Sequence, residues 1–159
     1  MGQYGGGFDG YGCVSLTSAT IGNNVEIIKS GAFQNCEKLN SITVPKSVTT
    51  LGNGAFQNCK NLRTAILNGE IQYDSNNSGS SAFQGCTSLE TVTISGATYI
   101  GHSMFKNCTA LTSVNIPNTV TEIYGLYSGG AFQNCTSLKS ITIPNSVKTI
   151  GIDAFNGCV

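Results

Sequence analysis

Apolar and polar residues alternate in short stretches that return at a nearly constant interval along this 159-residue chain. Residues 41–44 (SITV) and 140–143 (SITI) each alternate with a period of two, which is typical of a strand with one buried face. Proline follows at Pro45 and Pro144, and again at Pro117, where it ends a strand because it has no N–H for a ladder. The pattern predicts one short, half-buried strand in every repeat.

A phenylalanine followed three residues later by a cysteine marks each repeat. Successive phenylalanines are 23, 27, 22, 27 and 23 residues apart. Cys13 has the same phase but lacks its phenylalanine. We expect these side chains to form the structural core, which comprises Phe33, Phe56, Phe83, Phe105, Phe132, Phe155, Cys36, Cys59, Cys86, Cys108 and Cys135, with Cys158 following in the last repeat.

The repeat length predicts a solenoid. A unit of 23 residues is too short for a strand, a full helix and two loops, and one unit cannot bury its own phenylalanine and leucine. When units stack, the equivalent side chains of neighbouring units contact each other, which creates a continuous core beside a parallel sheet. We therefore predict about six coils of 22–27 residues over residues 13–159, α/β to mainly β, with a short helical turn at the Ala-Phe pair. Residues 1–12 are interpreted as a Gly/Tyr-rich linker, tag or frayed start.

Residues 131–151 (AFQNCTSLKSITIPNSVKTIG) resemble the BspA-type leucine-rich repeat. That family occurs in surface proteins of anaerobic bacteria, spirochaetes and parasitic protists. The resemblance implies a right-handed leucine-rich-repeat superhelix at the cell surface or outside the cell. It also implies a non-catalytic recognition module for adhesion or host-protein binding. A structural spacer that displays another domain and has no ligand of its own is the alternative.

The charge balance argues against several partners. Charged residues make up 10 % of the chain, with eight Lys and Arg against eight Asp and Glu. Such a neutral chain has no feature that attracts nucleic acid. Its apolar runs are too short to cross a bilayer.

Catalytic and metal chemistry also lack their usual residues. A cysteine nucleophile needs a neighbouring base, and His102 is the one histidine of the chain. The carboxylates are scattered without a repeated pair, and no C-x-x-C motif is present. We therefore expect no enzyme activity, no metal site and no cofactor.

The seven cysteines share one repeat position. An odd number in a single phase favours a ladder of buried free thiols, since unpaired cysteine is among the most buried residue types. The alternative is disulfide pairing between coils, because equivalent Cα atoms about 5 Å apart lie within disulfide range. Side chains that run parallel from coil to coil argue against that pairing.

The outward strand positions form a first candidate binding surface, a concave face that would dock a protein or a glycan. Solubility combined with strand propensity explains the same residues without a ligand. An ice-binding array is disfavoured because Ile66 and Asn115 interrupt the threonine rows. The residues of the candidate face are Ser41, Thr43, Thr91, Thr93, Ser113, Asn115, Ser140 and Thr142.

Two coils are four residues longer than the standard repeat, and the extra residues are rich in Tyr, Ser, Gly and Asn. These residue types suit adaptable binding loops, and insertions in solenoids often mark the binding side. Tolerated variation in loop length is the alternative. The candidate ligand-binding residues are Tyr73, Asp74, Asn76, Tyr99, Tyr124 and Tyr127.

No polar cap follows Cys158 and Val159, although solenoids usually need one. We expect either a fragment of a longer array or end-to-end association with another copy. The predicted partners are thus a host, neighbouring-cell or matrix protein, and a second copy of the chain.

Overall fold

The computed structural model of the chain describes residues 12–71, 80–126 and 129–159. Within these ranges it is built from short strands and turns, without an α-helix. The elements are β1 (Ile27–Ile28), β2 (Ser41–Val44), β3 (Thr50–Leu51), β4 (Thr64–Leu67), β5 (Thr91–Ile94), β6 (Tyr99–Ile100), β7 (Ser113–Asn115), β8 (Glu122–Ile123), β9 (Gly125–Leu126), β10 (Gly129–Gly130) and β11 (Thr149–Ile150).

The main sheet confirms the predicted stacking of coils. Its four strands are parallel in the order β2-β4-β5-β7, and equivalent repeat positions pair directly, as in Ser41 with Thr64 and Thr64 with Thr91. Strand β2 has the burial pattern exposed, buried, exposed, buried, and β5 repeats it. Ile42 and Val44 therefore face the core while the hydroxyl side chains face out.

A second parallel ladder runs along another side of each coil. It pairs β1 with β3 and continues as β6-β8-β11, with Ile100 opposite Ile123 and Ile123 opposite Ile150. The additional residues of the fifth coil include an antiparallel pair, β9 and β10. This pair is an addition to the solenoid repeat and leaves the parallel register of β8 and β11 unchanged.

The third side consists of turns, which corrects the expectation of a helical turn at the Ala-Phe pair. Within one coil the turn bonds span three residues, as from Gln34 N to Gly31 O at 3.0 Å and from Cys36 N to Phe33 O at 3.2 Å. The intervening amides donate to the next coil, as from Phe33 N to Ala55 O at 2.7 Å. Because alternate N–H groups point along the solenoid axis, a continuous helix cannot form there.

The residue before each cysteine from Cys36 to Cys158 adopts a left-handed backbone conformation. Its φ lies between 58° and 80° in all six coils, where a Cβ is disfavoured unless the side chain is Asn or Asp. These positions are occupied only by Asn or Gly, namely Asn35, Asn58, Gly85, Asn107, Asn134 and Gly157. This backbone requirement accounts for the recurring Asn-Cys and Gly-Cys dipeptides.

Asn58→Ala should lower the free energy of unfolding by about 1–2 kcal/mol, because alanine is strained at this φ. The substitution also removes the hydrogen bond from Asn58 Nδ2 to Asn35 Oδ1, which is 3.1 Å long. Asn58→Gly should cost less than half as much, as glycine serves at the equivalent position 85. Urea unfolding of the three proteins would check this ordering, and an equal loss for Ala and Gly would contradict it.

The core is a column of stacked rings beside a column of thiols. The Phe56 and Phe83 centroids are 5.2 Å apart with planes inclined by 8°, and the same stacking continues along all six phenylalanines. Phe56, Phe83, Phe105 and Phe132 are fully buried, whereas Phe33 and Phe155 in the outer coils are partly buried. The predicted core cysteines from Cys36 to Cys135 are also fully buried.

The predicted strand at residues 140–143 is absent from the sheet, which is a correction. Ser140 and Thr142 are exposed as expected, but this segment makes no strand pairing with β7. Pro144 follows it and has no N–H to donate to the preceding coil. The main sheet accordingly ends at β7.

Candidate functional site

The outward side of the main sheet is the largest regular surface that the described strands create. We call it the sheet face. Its side chains form two rows across four strands, and most of them are exposed hydroxyl groups without charge. The sheet face consists of Ser41, Thr43, Thr64, Ile66, Thr91, Thr93, Ser113 and Asn115. The predicted residues Ser140 and Thr142 lie beside it, outside the sheet.

Asn115 differs from the other residues of the sheet face because its amide is occupied by the neighbouring strand. Its Oδ1 accepts from Ile94 N at 2.8 Å, and its Nδ2 donates to Ile94 O at 3.0 Å. Both hydrogen bonds take the place of backbone ladder bonds. Asn115 therefore serves the sheet itself, a role that its sequence position alone did not reveal.

Ion pairs link consecutive coils at exposed positions. Arg63 contacts Glu90 at 2.6 Å, and Lys60 contacts Glu37 at 2.7 Å. All four side chains are about half exposed, so each pair adds little stability. The rows of the sheet face themselves remain neutral.

The structure describes two of the six candidate ligand-binding residues. Tyr99 and Tyr124 contact each other edge to face with centroids 5.8 Å apart, so these two candidates lie together. Only 5 % of Tyr99 is exposed, and Tyr124 is partly buried. Tyr73, Asp74, Asn76 and Tyr127 lie outside the described residues. Ligand binding by this group stays a prediction.

The thiol ladder has a regular hydrogen-bond pattern. Five thiols donate to the carbonyl of the phenylalanine one coil earlier, as from Cys86 to Phe56 O at 3.1 Å and from Cys108 to Phe83 O at 3.2 Å; they are those of Cys59, Cys86, Cys108, Cys135 and Cys158. The cysteines of the described residues are all free. A thiol must keep its proton to donate in this way, so the pattern suits a structural role.

Burial holds most of these thiols in the protonated form. It raises the pKa of Cys36 to about 11 and that of Cys135 to about 12. Burial also raises the pKa of Cys86 and Cys108 well above the usual value. The pKa of Cys59 is lowered, chiefly by a hydrogen bond from Cys86. Reactive cysteines depend on the thiolate, so these groups are poor nucleophiles at neutral pH.

His102 lies in a turn and is partly buried, and this burial lowers its pKa. Its Nδ1 has no hydrogen-bond partner within the described ranges, so no carboxylate orients the ring as a general base would require. No group of three or more His, Cys, Asp and Glu that could hold a metal occurs in the part of the chain that the structure describes. Nor do these described residues include a helix that could cross a membrane.

The repeat, the parallel sheet and the stacked core define a leucine-rich-repeat solenoid. The chain belongs to the BspA-type leucine-rich-repeat family, whose repeat model matches residues 8–128 and 127–159 in six copies. Membership points to a protein-interaction or surface module, and repeat proteins of this kind are generally non-enzymatic. No curated protein matches the chain.

Solved structures of bacterial leucine-rich-repeat proteins share the fold. A leucine-rich repeat protein from Eubacterium ventriosum is 30 % identical with a TM-score of 0.78, covering 89 % of this chain and 37 % of its own. A leucine rich cell surface protein from Faecalibacterium prausnitzii is 35 % identical with a TM-score of 0.65, and the match covers 78 % of this chain and 31 % of that protein. A leucine-rich repeat protein from Bacteroides ovatus is 26 % identical with a TM-score of 0.61, and the match covers 92 % of this chain and 48 % of that protein. The present chain thus spans less than half the length of each.

Proposed function

We propose that the chain is a recognition module of the cell surface, which binds a protein or glycan of a host or neighbouring cell through the sheet face. The observation that carries this proposal is the pair of exposed, uncharged hydroxyl rows held in register over four strands. A rigid face of this kind loses little conformational entropy when a partner docks. Solenoids commonly use such extended surfaces for binding.

The chemistry of the sheet face suits a partner that forms many neutral hydrogen bonds. Thr91 and Thr93 on β5 lie in the inner part of the sheet, with β4 on one side and β7 on the other. Their hydroxyl groups both donate and accept hydrogen bonds, while their methyl groups offer small apolar contacts. Polar groups of a protein surface and hydroxyl groups of a glycan both match this surface.

The double substitution Thr91→Lys and Thr93→Glu should reduce binding at least about tenfold, since central interface positions dominate affinity. The net charge stays unchanged, and both side chains are exposed, so the fold should be retained. Binding to immobilised matrix proteins and mucins would be measured by surface plasmon resonance. Retained affinity in this variant would reject the sheet face as the binding surface.

Thr109→Lys with Thr136→Glu is the matched control. Both threonines are exposed and lie on the turn side of their coils, directly after Cys108 and Cys135. This variant should bind as the unaltered chain does. A spacer without a ligand would retain none of the matrix proteins or mucins even before substitution.

A further inference from the structure

The main sheet stops at β2 although residues 18–21 (SATI) lie where one more strand belongs. Asn40 N donates to Thr17 O at 3.3 Å, which joins the two backbones just before this point. Beyond it, no backbone hydrogen bond connects residues 18–21 with β2, both of which are fully described. Ala19 and Ile21 still pack against the core. The first coil therefore holds its side chains in place while its backbone diverges from β2.

The residue that follows each strand explains this divergence. Asn68 N donates to Val44 O at 3.0 Å, and Ser95 N donates to Leu67 O at 2.9 Å, each closing the ladder to the preceding coil. Pro45 stands at the equivalent position of the second coil and has no N–H to donate to Ile21 O. The divergence thus follows from one missing donor.

The fifth coil also lacks a backbone donor after its strand, but a side-chain amide replaces that donor. Pro117 cannot donate to Ile94 O, and Asn115 Nδ2 donates to that carbonyl instead. At the position of Asn115, the second coil has Thr43 and the sixth has Thr142, neither with an amide. Where a coil combines proline with threonine, as the second and sixth coils do, its strand segment does not pair with that of the preceding coil.

The divergence opens a wedge of about 590 Å³ between residues 19–21 and β2. Ala19 and Ile21 form its apolar side, and Ile42 also borders it but is only 2 % exposed. A strand residue occupies roughly 160 Å³, from about 3.4 Å of rise, 4.8 Å of width and 10 Å between faces. The volume of the wedge therefore equals that of about four strand residues. The gap beside residues 140–142 is only about 400 Å³ and is too small for such a strand.

We propose that this wedge binds an extended segment of a partner protein as an added strand between residues 18–21 and β2. Within the described ranges no backbone hydrogen bond occupies the facing edges of the two walls, so they offer donors and acceptors, the usual basis of strand addition. The segment would carry a non-proline residue after its strand, whose N–H reaches Ile21 O in place of the one that Pro45 lacks. Lys46, the charged residue of the lining, favours a neutral or acidic segment. This site is separate from the sheet face.

A strand peptide tests the site directly. The probe is acetyl-TVTIS-amide with a fluorescent label, which copies residues 91–95 and ends in the serine that completes the ladder in the fourth coil. Fluorescence anisotropy with the complete chain should show saturable binding. N-methylation of its Val and Ile nitrogens should weaken binding at least about tenfold, because it removes backbone donors and keeps the side chains. Equal binding of the methylated peptide would overturn the proposal.

Two substitutions should close the wedge by copying solutions found elsewhere in the chain. Thr43→Asn reproduces Asn115, and Pro45→Ser reproduces Ser95. Each substitution should restore the pairing of the first coil with β2 and thereby weaken peptide binding at least about tenfold.

Pro117→Ser is the matched control and should change affinity less than about twofold, since Asn115 already supplies that hydrogen bond. Unchanged affinity in both wedge variants, with folding confirmed by circular dichroism, would contradict the proposal. The Thr91 and Thr93 variant should bind the peptide normally, which separates this site from the sheet face.

Discussion

Phe83→Ala is expected to lower the free energy of unfolding by roughly 3–5 kcal/mol, the usual cost of removing a fully buried phenylalanine. Phe83 also stacks on both sides, 5.2 Å from Phe56 and 5.6 Å from Phe105. Each ring contact contributes about 0.5–1.5 kcal/mol beyond burial. A domain of ordinary stability, about 5–15 kcal/mol, would lose a large part of it. Urea unfolding followed by circular dichroism measures the loss.

The position of Phe83 within the stack makes the effect cooperative. Solenoid stability is a sum of coil terms and nearest-neighbour interfaces, so a cavity in the third coil weakens its interfaces with both the second and the fourth coil. Phe155→Ala is the matched control, since its ring is partly buried and stacks on Phe132 at 5.3 Å in the last coil. It should cost about half as much. Similar losses at both positions would show that the rings do not act as a continuous column.

The core and the register could be predicted from the sequence because they depend on spacing alone. A phenylalanine and a cysteine three residues later, repeated every 22–27 residues, leave stacking as the one way to bury both. The sheet pairs equivalent positions as that argument requires. The helical turn was wrong because Asn and Gly in the left-handed region were not recognised as backbone requirements. The recurring Asn-Cys and Gly-Cys dipeptides carried that signal.

The limits of the sheet could not be predicted from the alternation of polar and apolar residues. Residues 41–44 and 140–143 have nearly the same sequence, yet only the former are a strand. The difference depends on the neighbouring coil, where Asn68 completes the ladder to β2 and Pro144 cannot reach β7. The role of Asn115 depends on the direction of its amide, which no local pattern specifies.

The fold should unfold in mild alkali, with stability falling between about pH 9 and 11. Burial raises the pKa of Cys36 to about 11 and of Cys135 to about 12, and it raises the pKa of Cys86 and Cys108 well above the usual value. In the unfolded chain a thiol has a pKa of about 8.5, so that state releases its protons first. The stabilisation is complete below that pH and is lost as the pH approaches the folded values.

The size of this effect follows from the number of thiols involved. Each raised thiol costs roughly 1.4 kcal/mol per pH unit in the window, which makes about four protons for Cys36, Cys86, Cys108 and Cys135. Cys59, whose pKa is lowered, is ionised in both states there and does not change this slope. Urea midpoints measured under reducing conditions from pH 7 to about 11 would give the slope. Cys135→Ala should reduce it by about one proton, because the raised pKa of this thiol is then removed. A stability independent of pH over this range would mean that the thiols ionise without leaving the core, which is incompatible with their donation to the phenylalanine carbonyls.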